Sequence, residues 1–146
     1  MAVEPIFVDT NVLVYLDQAA SVFHAPARAA IGRLEREGAA LWISRQVLRE
    51  YMVTVTRPNP AGVPPMTRTE AVMAVEGFLT AFAIAEDGPP ATANLLKLIR
   101  SVPVAGKQVH DANIVATMLT HGVTRLLTFN GSDFRRFEPM IEILAP

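Results

Sequence analysis

One stretch constrains the chain more than any other: Ile6-Phe7-Val8-Asp9-Thr10-Asn11, followed at once by Val12-Leu13-Val14. A short apolar run with β-branched and aromatic residues reads as a buried strand. Thr10 or Asn11 can cap a helix that starts directly afterwards. Strand one is therefore expected over Ile6–Asp9, and a short helix from Thr10 to about Gln18. Asp9 then stands where a strand ends and a helix begins. In open α/β sheets, ligands bind outside the carboxyl ends of the strands. An aspartate at such a junction also suits a plain cap, so its meaning depends on the acids further along.

The same alternation continues. A helix is expected from about Pro26 to Glu37, stopped by Gly38, then strand two over Ala40–Ile43 with the single tryptophan. Ser44 caps a helix from Arg45 to about Thr56. Pro58, Pro60, Pro64 and Pro65 mark a loop. Thr67 caps the next helix, with Glu70 in the capping-box position, and that helix runs to about Leu79. Strand three is expected over Ala81–Ala85, a turn at Asp87-Gly88-Pro89-Pro90, and a helix over Ala91–Ser101. Val109–Thr120 reads as a strong helix ended by Gly122. Arg125–Phe129 reads as strand four, residues 130–133 as a turn or one-turn helix, and Met140–Leu144 as strand five. Strands alternating with helices imply a mainly parallel sheet covered on both faces. With no internal repeat and no long linker, residues 1–146 are expected to form one domain.

Composition excludes several classes. Of 146 residues, 51% are hydrophobic, enough for one real core. Thirteen basic against 14 acidic residues, a net charge of -1, argue against holding nucleic acid by bulk charge. A local patch serving an enzyme remains compatible with that balance. Absence of cysteine removes disulfides, thiolate zinc sites and cysteine nucleophiles, and fits a cytoplasmic setting. The N-terminal apolar run has no basic residue before Arg28 and is broken by Asp9 and Asn11, unlike a signal peptide. Ala71–Ala85 is too short and too polar to span a bilayer. A cytoplasmic protein without membrane attachment is expected.

Four acids have a physical reason to meet. Asp111 shares a helix face with Ile114, Val115 and Met118, so it tops a core-facing stripe. A carboxylate there is costly to desolvate unless compensated, although a first-turn position also gives it the helix dipole. Glu50 shares a face with Val47, Tyr51 and Thr54, beyond any capping position. Its plainer use is as an ion-pair partner for Arg45 or Arg49. Asp133 follows strand four, as Asp9 follows strand one, and also suits an ordinary turn. If Asp9, Glu50, Asp111 and Asp133 converge, their mutual repulsion calls for a divalent cation. Oxygen ligands favour Mg²⁺ or Mn²⁺ over zinc, and such an ion suits phosphodiester chemistry. There is no glycine-rich phosphate loop and no serine-centred nucleophile motif. His110 beside Asp111 suits a structural place at a helix start better than a base.

These segments resemble the PIN-domain family, and within it the VapC-type toxin ribonucleases of toxin–antitoxin pairs. The matching segments are Phe7-Val8-Asp9-Thr10-Asn11-Val12-Leu13-Val14-Tyr15, Glu50 in Val47-Leu48-Arg49-Glu50-Tyr51, Val109-His110-Asp111-Ala112, and Leu127-Thr128-Phe129-Asn130 with Asp133-Phe134. Their order and spacing cover nearly the whole chain. The resemblance implies a three-layer α/β/α sandwich whose sheet of about five mainly parallel strands is ordered 3-2-1-4-5. It implies Mg²⁺- or Mn²⁺-dependent endonucleolytic cleavage of single-stranded RNA, a homodimer, and a cognate antitoxin inserting near the acidic pocket. Carried over by position, Asp9 and Asp111 are the main metal ligands. Glu50 binds metal directly or through water and helps orient the attacking water. Asp133 completes the cluster in an outer role. Thr10 and Thr128 are supporting hydroxyls, and Asn11 is a supporting amide. Asn130 stands where some relatives carry another acid, which leaves a second metal in question. Arg45, Arg49, Arg57, Arg135 and Arg136 are candidates for steering RNA, each equally suited to a solvated surface.

Two other readings stay open. A PIN-like binding scaffold could keep the fold without turnover, with apolar faces around residues 45–56 and 67–79 serving a partner or the core. An aspartate-nucleophile phosphotransferase of the haloacid-dehalogenase type also places an aspartate after strand one. It expects a second acid two residues on, where this chain has Asn11.

Overall fold

The computed structural model describes residues 4–146. Five parallel strands form one sheet: β1 (Ile6–Val8), β2 (Leu41–Ser44), β3 (Ala83–Ala85), β4 (Arg125–Leu127) and β5 (Glu142–Leu144), in the order β3-β2-β1-β4-β5. The expected order and direction are both found. Ile6 is in register with Leu41 on one side and Arg125 on the other, so β1 is the central strand. Ile6, Phe7 and Val8 are all fully buried. A strand covered on both faces has no solvated side, and an unbroken apolar triplet suits it.

Among the described residues, seven α-helices surround the sheet: α1 (Thr10–Leu16), α2 (His24–Arg36), α3 (Arg45–Thr56), α4 (Arg68–Ala81), α5 (Pro89–Ser101), α6 (Gln108–Thr120) and the single turn α7 (Gly131–Phe134), which leads into a 3₁₀ turn over Arg135–Phe137. No helix among the described residues is long and apolar enough to cross a membrane. Gly38 and Gly122 adopt positive φ, 79° and 69°, directly after α2 and α6. At each, the following residue's N–H reaches back to the helix, Ala39 to the Leu34 carbonyl and Val123 to the Met118 carbonyl. These are Schellman endings, in which a left-handed residue closes the last turn.

Four boundaries differ from expectation for local reasons. The residue that caps α1 is Asp9, not Thr10 or Asn11, and its carboxylate accepts the Thr10 N–H at 2.8 Å. Both α2 and α5 begin earlier than expected. Pro26 lies in the first turn of α2, and Pro89 and Pro90 open α5 rather than forming a turn. First-turn N–H groups have no intrahelical partner, so proline loses nothing there. Strand β4 stops at Leu127 instead of running to Phe129, because the Phe129 N–H is taken by the Asn11 side chain at 3.1 Å.

The core gathers around Phe7, Leu13, Ile43, Tyr51, Ile114, Met118 and Leu126, all buried. The apolar face of α3 is largely core, through Val47, Leu48, Tyr51 and Val55. Helix α4 differs. It buries Ala71 and leaves Val72 and Met73 more than half exposed.

Candidate metal and active site

At the carboxyl edge of the sheet, an open cleft of about 240 Å³ is lined by Asp9, Thr10, Asn11, Val14, Tyr15, Glu50, Thr54, Asp111 and Asn130. Each acid arrives by a different element. Asp9 follows central β1 and is buried, 6% exposed. Glu50 lies half-buried on α3, which Ser44 at the end of β2 caps by accepting the Val47 N–H. Asp111 lies half-buried in the first turn of α6, above buried Ile114, Val115 and Met118, as its helical spacing predicts.

A dense hydrogen-bond net fixes Asp9. Thr128, itself buried, donates its hydroxyl to Oδ2 at 2.7 Å, and the Asn11 amide donates to the same oxygen at 3.2 Å. Asn11 also donates to the Thr128 hydroxyl at 3.2 Å, and the Asn130 N–H donates to that hydroxyl at 3.0 Å. Glu50 is held from two sides. The Thr10 hydroxyl donates to Oε2 at 2.8 Å, and the Gln46 amide donates to Oε1 at 2.8 Å. Glu50 is thus not the surface partner of Arg45, whose guanidinium instead makes a two-point pair with Glu86.

The electrostatics follow from this crowding. Burial pushes the Asp9 carboxyl up to about 6, against the opposing pull of Thr128, Thr10 and Asn11, and the Glu50 charge adds to the rise. Asp111 is also pushed up to about 6, by burial first and then by the charges of Asp9, Asp133 and Glu50, while Arg136 pulls the other way. Among the described residues, no lysine, arginine or histidine lines the cleft. Three carboxylates therefore face one space without a lining base, and like charges at close range disfavour joint ionisation.

Asp133 stands apart from the other three. It is exposed on α7 and does not line the cleft, though its charge reaches Asp111. Among the arginines, Arg136 is near enough to act on Asp111 and donates to the Pro103 carbonyl at 3.3 Å. Arg135 lines a neighbouring depression that contains Thr128 and Phe129. Arg49 and Arg57 are exposed. His110 is exposed, and it is its backbone carbonyl that accepts a bond from Gln46 at 2.9 Å. Sequence reasoning missed Gln46: its spacing puts it one turn from Glu50 on α3, but its bonds to the His110 carbonyl and to Asn113 join positions far apart in the chain. Thr54, expected on the Glu50 face, donates its hydroxyl to the Glu50 backbone carbonyl at 2.9 Å.

Among the described residues, no three carboxylate or imidazole side chains form a closed metal cage. The donor chemistry nevertheless fits a hard divalent cation. Such an ion is commonly held by one or two carboxylates, with water and substrate phosphate completing its shell. Asp9 and Asp111 offer carboxylate oxygens whose negative charge the cleft itself leaves poorly compensated.

The fold and cleft together define a parallel α/β domain with an acidic site at the carboxyl edge of its central strand. The chain belongs to the PIN-domain family: the PIN domain profile matches residues 6–138. Its fold is that of the VapC toxins of toxin–antitoxin systems. VapBC2 of Rickettsia felis, solved with a DNA fragment from its promoter, superposes with a TM-score of 0.69 at 16% identity, covering 97% of this chain and 98% of that one. VapC20 of Mycobacterium tuberculosis, a toxin that cleaves the sarcin–ricin loop, gives 0.65 at 22% identity, with 88% and 92% covered. A toxin–antitoxin complex from Klebsiella pneumoniae gives 0.66 at 22% identity, with 97% and 96% covered. No curated protein is significantly similar in sequence.

Proposed function

We propose that this chain is a Mg²⁺- or Mn²⁺-dependent endoribonuclease that cuts single-stranded RNA and acts as the toxin of a toxin–antitoxin pair. The observation that carries the reading is the convergence of Asp9, Glu50 and Asp111 on one cleft lined by no base. Family membership and fold neighbours from toxin–antitoxin complexes support it. A bound divalent ion would supply an activated water and neutralise charge on the scissile phosphate. Asp9 and Asp111 would hold it as the main ligands, with Glu50 binding it directly or through water. Glu50, fixed by Thr10 and Gln46, orients the attacking water by accepting its hydrogen bond. Thr128 and Asn11 hold Asp9 in place. Asp133 acts from outside the cleft, adding negative potential at Asp111. RNA is drawn in by arginines beyond the acidic rim, with Arg136 the nearest to Asp111 by its electrostatic effect.

The reading places residues 1–146 in one nuclease domain, in the cytoplasm, with a cognate antitoxin as partner. A homodimer is favoured by α4, whose Val72 and Met73 are exposed apolar residues on one helix. The phosphotransferase alternative has less support. Asn11, at the position where a second acid is required, is committed at both ends of its amide, to Asp9 and Thr128 by its amino group and to the Phe129 N–H by its carbonyl.

The test is cleavage of a panel of labelled RNAs by antitoxin-free protein with Mg²⁺, with Mn²⁺ and with EDTA, beside Asp9→Asn. Metal-dependent cutting that vanishes in the folded variant is the expected result. Cutting that survives EDTA, or persists undiminished in Asp9→Asn, would overturn the assignment.

A further inference from the structure

Behind Glu50 runs a line of side-chain hydrogen bonds leading away from the cleft. Gln46, one turn before Glu50 on α3, is only 6% exposed. Its Nε2 donates to Glu50 Oε1 at 2.8 Å and to the His110 carbonyl at 2.9 Å. Its Oε1 accepts from Asn113 Nδ2 at 2.7 Å, and that same Nδ2 donates to Asp87 Oδ2 at 3.0 Å. Asp87 lies just past β3 and outside the cleft lining. We infer that Asp87, Asn113 and Gln46 form a directional relay of positioning residues that sets the orientation of Glu50, resting on the nuclease reading of the cleft.

Direction follows from donor and acceptor count. A primary amide has a donating end and an accepting end, and a half-turn of the side chain exchanges them. A carboxylate only accepts. Asp87 therefore fixes the amino end of Asn113 toward itself. That amino group also faces Gln46, so Gln46 must present its carbonyl there. The Gln46 amino group is then left for Glu50 and the His110 carbonyl. Reversing either amide would set a carbonyl oxygen against a carboxylate, a contact of two acceptors with no proton between them. The relay thus turns one carboxylate outside the cleft into a fixed donor on a carboxylate inside it.

The relay also ties together the elements that bear the acids. The His110 carbonyl precedes Asp111, so Gln46 bridges α3, which carries Glu50, and the first turn of α6, which carries Asp111. With Thr10 on Oε2 and Gln46 on Oε1, each Glu50 oxygen has its own donor. Buried polar networks of this kind rigidify a site when every member is satisfied.

The experiment compares full-length wild type, Asp87→Ala, Asp87→Glu and Gln46→Met. In the metal-free protein, NMR reads solvent exchange of the Gln46 and Asn113 side-chain amides. Calorimetry then reads Mn²⁺ affinity, and steady-state kinetics follow on an RNA that wild type cuts. Asp87→Ala should stay folded, speed exchange of both amides, and weaken Mn²⁺ binding about tenfold, with kcat down by a similar factor and KM for RNA unchanged. Asp87→Glu, which keeps an acceptor-only group, should recover most of each. Gln46→Met should lower kcat at least as far as Asp87→Ala. Unchanged exchange, affinity and kcat in folded Asp87→Ala would overturn the relay, as would losses that merely track the unfolded fraction. Wild type that cuts no RNA would count against the nuclease reading alone, because amide exchange and Mn²⁺ affinity report on the relay without turnover.

Discussion

The Thr128 hydroxyl, at the end of β4, donates to Asp9 Oδ2 at 2.7 Å across 119 positions of sequence. That bond joins the ends of two adjacent parallel strands at the cleft floor. It also opposes the burial that drives the Asp9 carboxyl upward. Thr128→Val keeps the shape and removes the hydroxyl. It leaves Asp9 without its shortest side-chain donor, and the Asn130 N–H and one Asn11 bond without an acceptor. We expect a loss of about 1–3 kcal/mol in denaturant unfolding. We expect Mn²⁺ binding by calorimetry to weaken by roughly tenfold or more, as when an outer partner of a metal ligand is removed. Wild-type Mn²⁺ affinity in the folded variant would refute the role given to Thr128.

A pH dependence follows from Asp9. Its carboxyl titrates near 6 in the folded chain against 3.8 as the reference value. Between those values the folded state holds more proton than the unfolded state, so stability must fall as pH rises. Metal-free protein should therefore lose stability from about pH 4 to about pH 6 and level off above. At about 1.4 kcal/mol per unit, Asp9 alone accounts for roughly 3 kcal/mol. Urea unfolding across this range should show the decline in wild type and a flatter profile in Asp9→Asn. Millimolar Mn²⁺, which binds the ionised carboxylates, should restore stability above pH 6. A wild-type profile no steeper than that of the variant would contradict the buried, raised carboxyl.

Tyr51 supplies a contrast outside the cleft. Its ring is buried and meets Phe78 edge-on at 5.0 Å, while its hydroxyl donates to Asp17. Burial and the Asp17 charge both push its ionisation well above the usual tyrosine range. Tyr51→Phe keeps the ring and removes the bond. The expected effect is about 1 kcal/mol of stability, read by chemical denaturation, because Asp17 is exposed and can be rehydrated. Metal affinity and RNA cleavage should not change. A loss of cleavage at full folding would mean that the α1–α3 packing feeds into the cleft, contrary to the geometry described.

Asp9 and Asp111 were legible because each is a carboxylate embedded in an apolar pattern, one at a strand end and one atop a helical stripe. Periodicity alone says which way such residues point. Glu50 was legible for the same reason. Asp133 resisted this treatment, because a single turn such as α7 has too little periodicity to set a direction, and the residue faces solvent beside the cleft. The sheet order was accessible through the family resemblance, whereas alternation of elements alone indicated only a parallel sheet. Pro89 and Pro90 were misplaced because proline breaks helix interiors yet fits first turns, and only the flanking backbone decides between the two. Gln46 and Asn113 were hidden for another reason. Their meaning lies in partners 67 and 26 residues distant, which no local window contains.

Arg136 is the arginine whose charge acts on the cleft, pulling the Asp111 carboxyl down against four raising influences. Arg136→Gln keeps a donor for the Pro103 carbonyl, so the fold should be retained. Two effects should separate. Loss of the positive charge should raise KM for RNA, and the slope of log KM against log salt should fall by about 0.7 for one lost phosphate contact on a single strand. Loss of its pull on Asp111 should move the acidic limb of the kcat profile to higher pH. If Arg136 steers RNA, the KM effect should fade at high salt, where charge is screened. An unaltered salt slope together with a shifted pH profile would assign Arg136 to tuning Asp111 and leave steering to other bases. An unaltered slope and an unaltered profile would remove Arg136 from the site altogether.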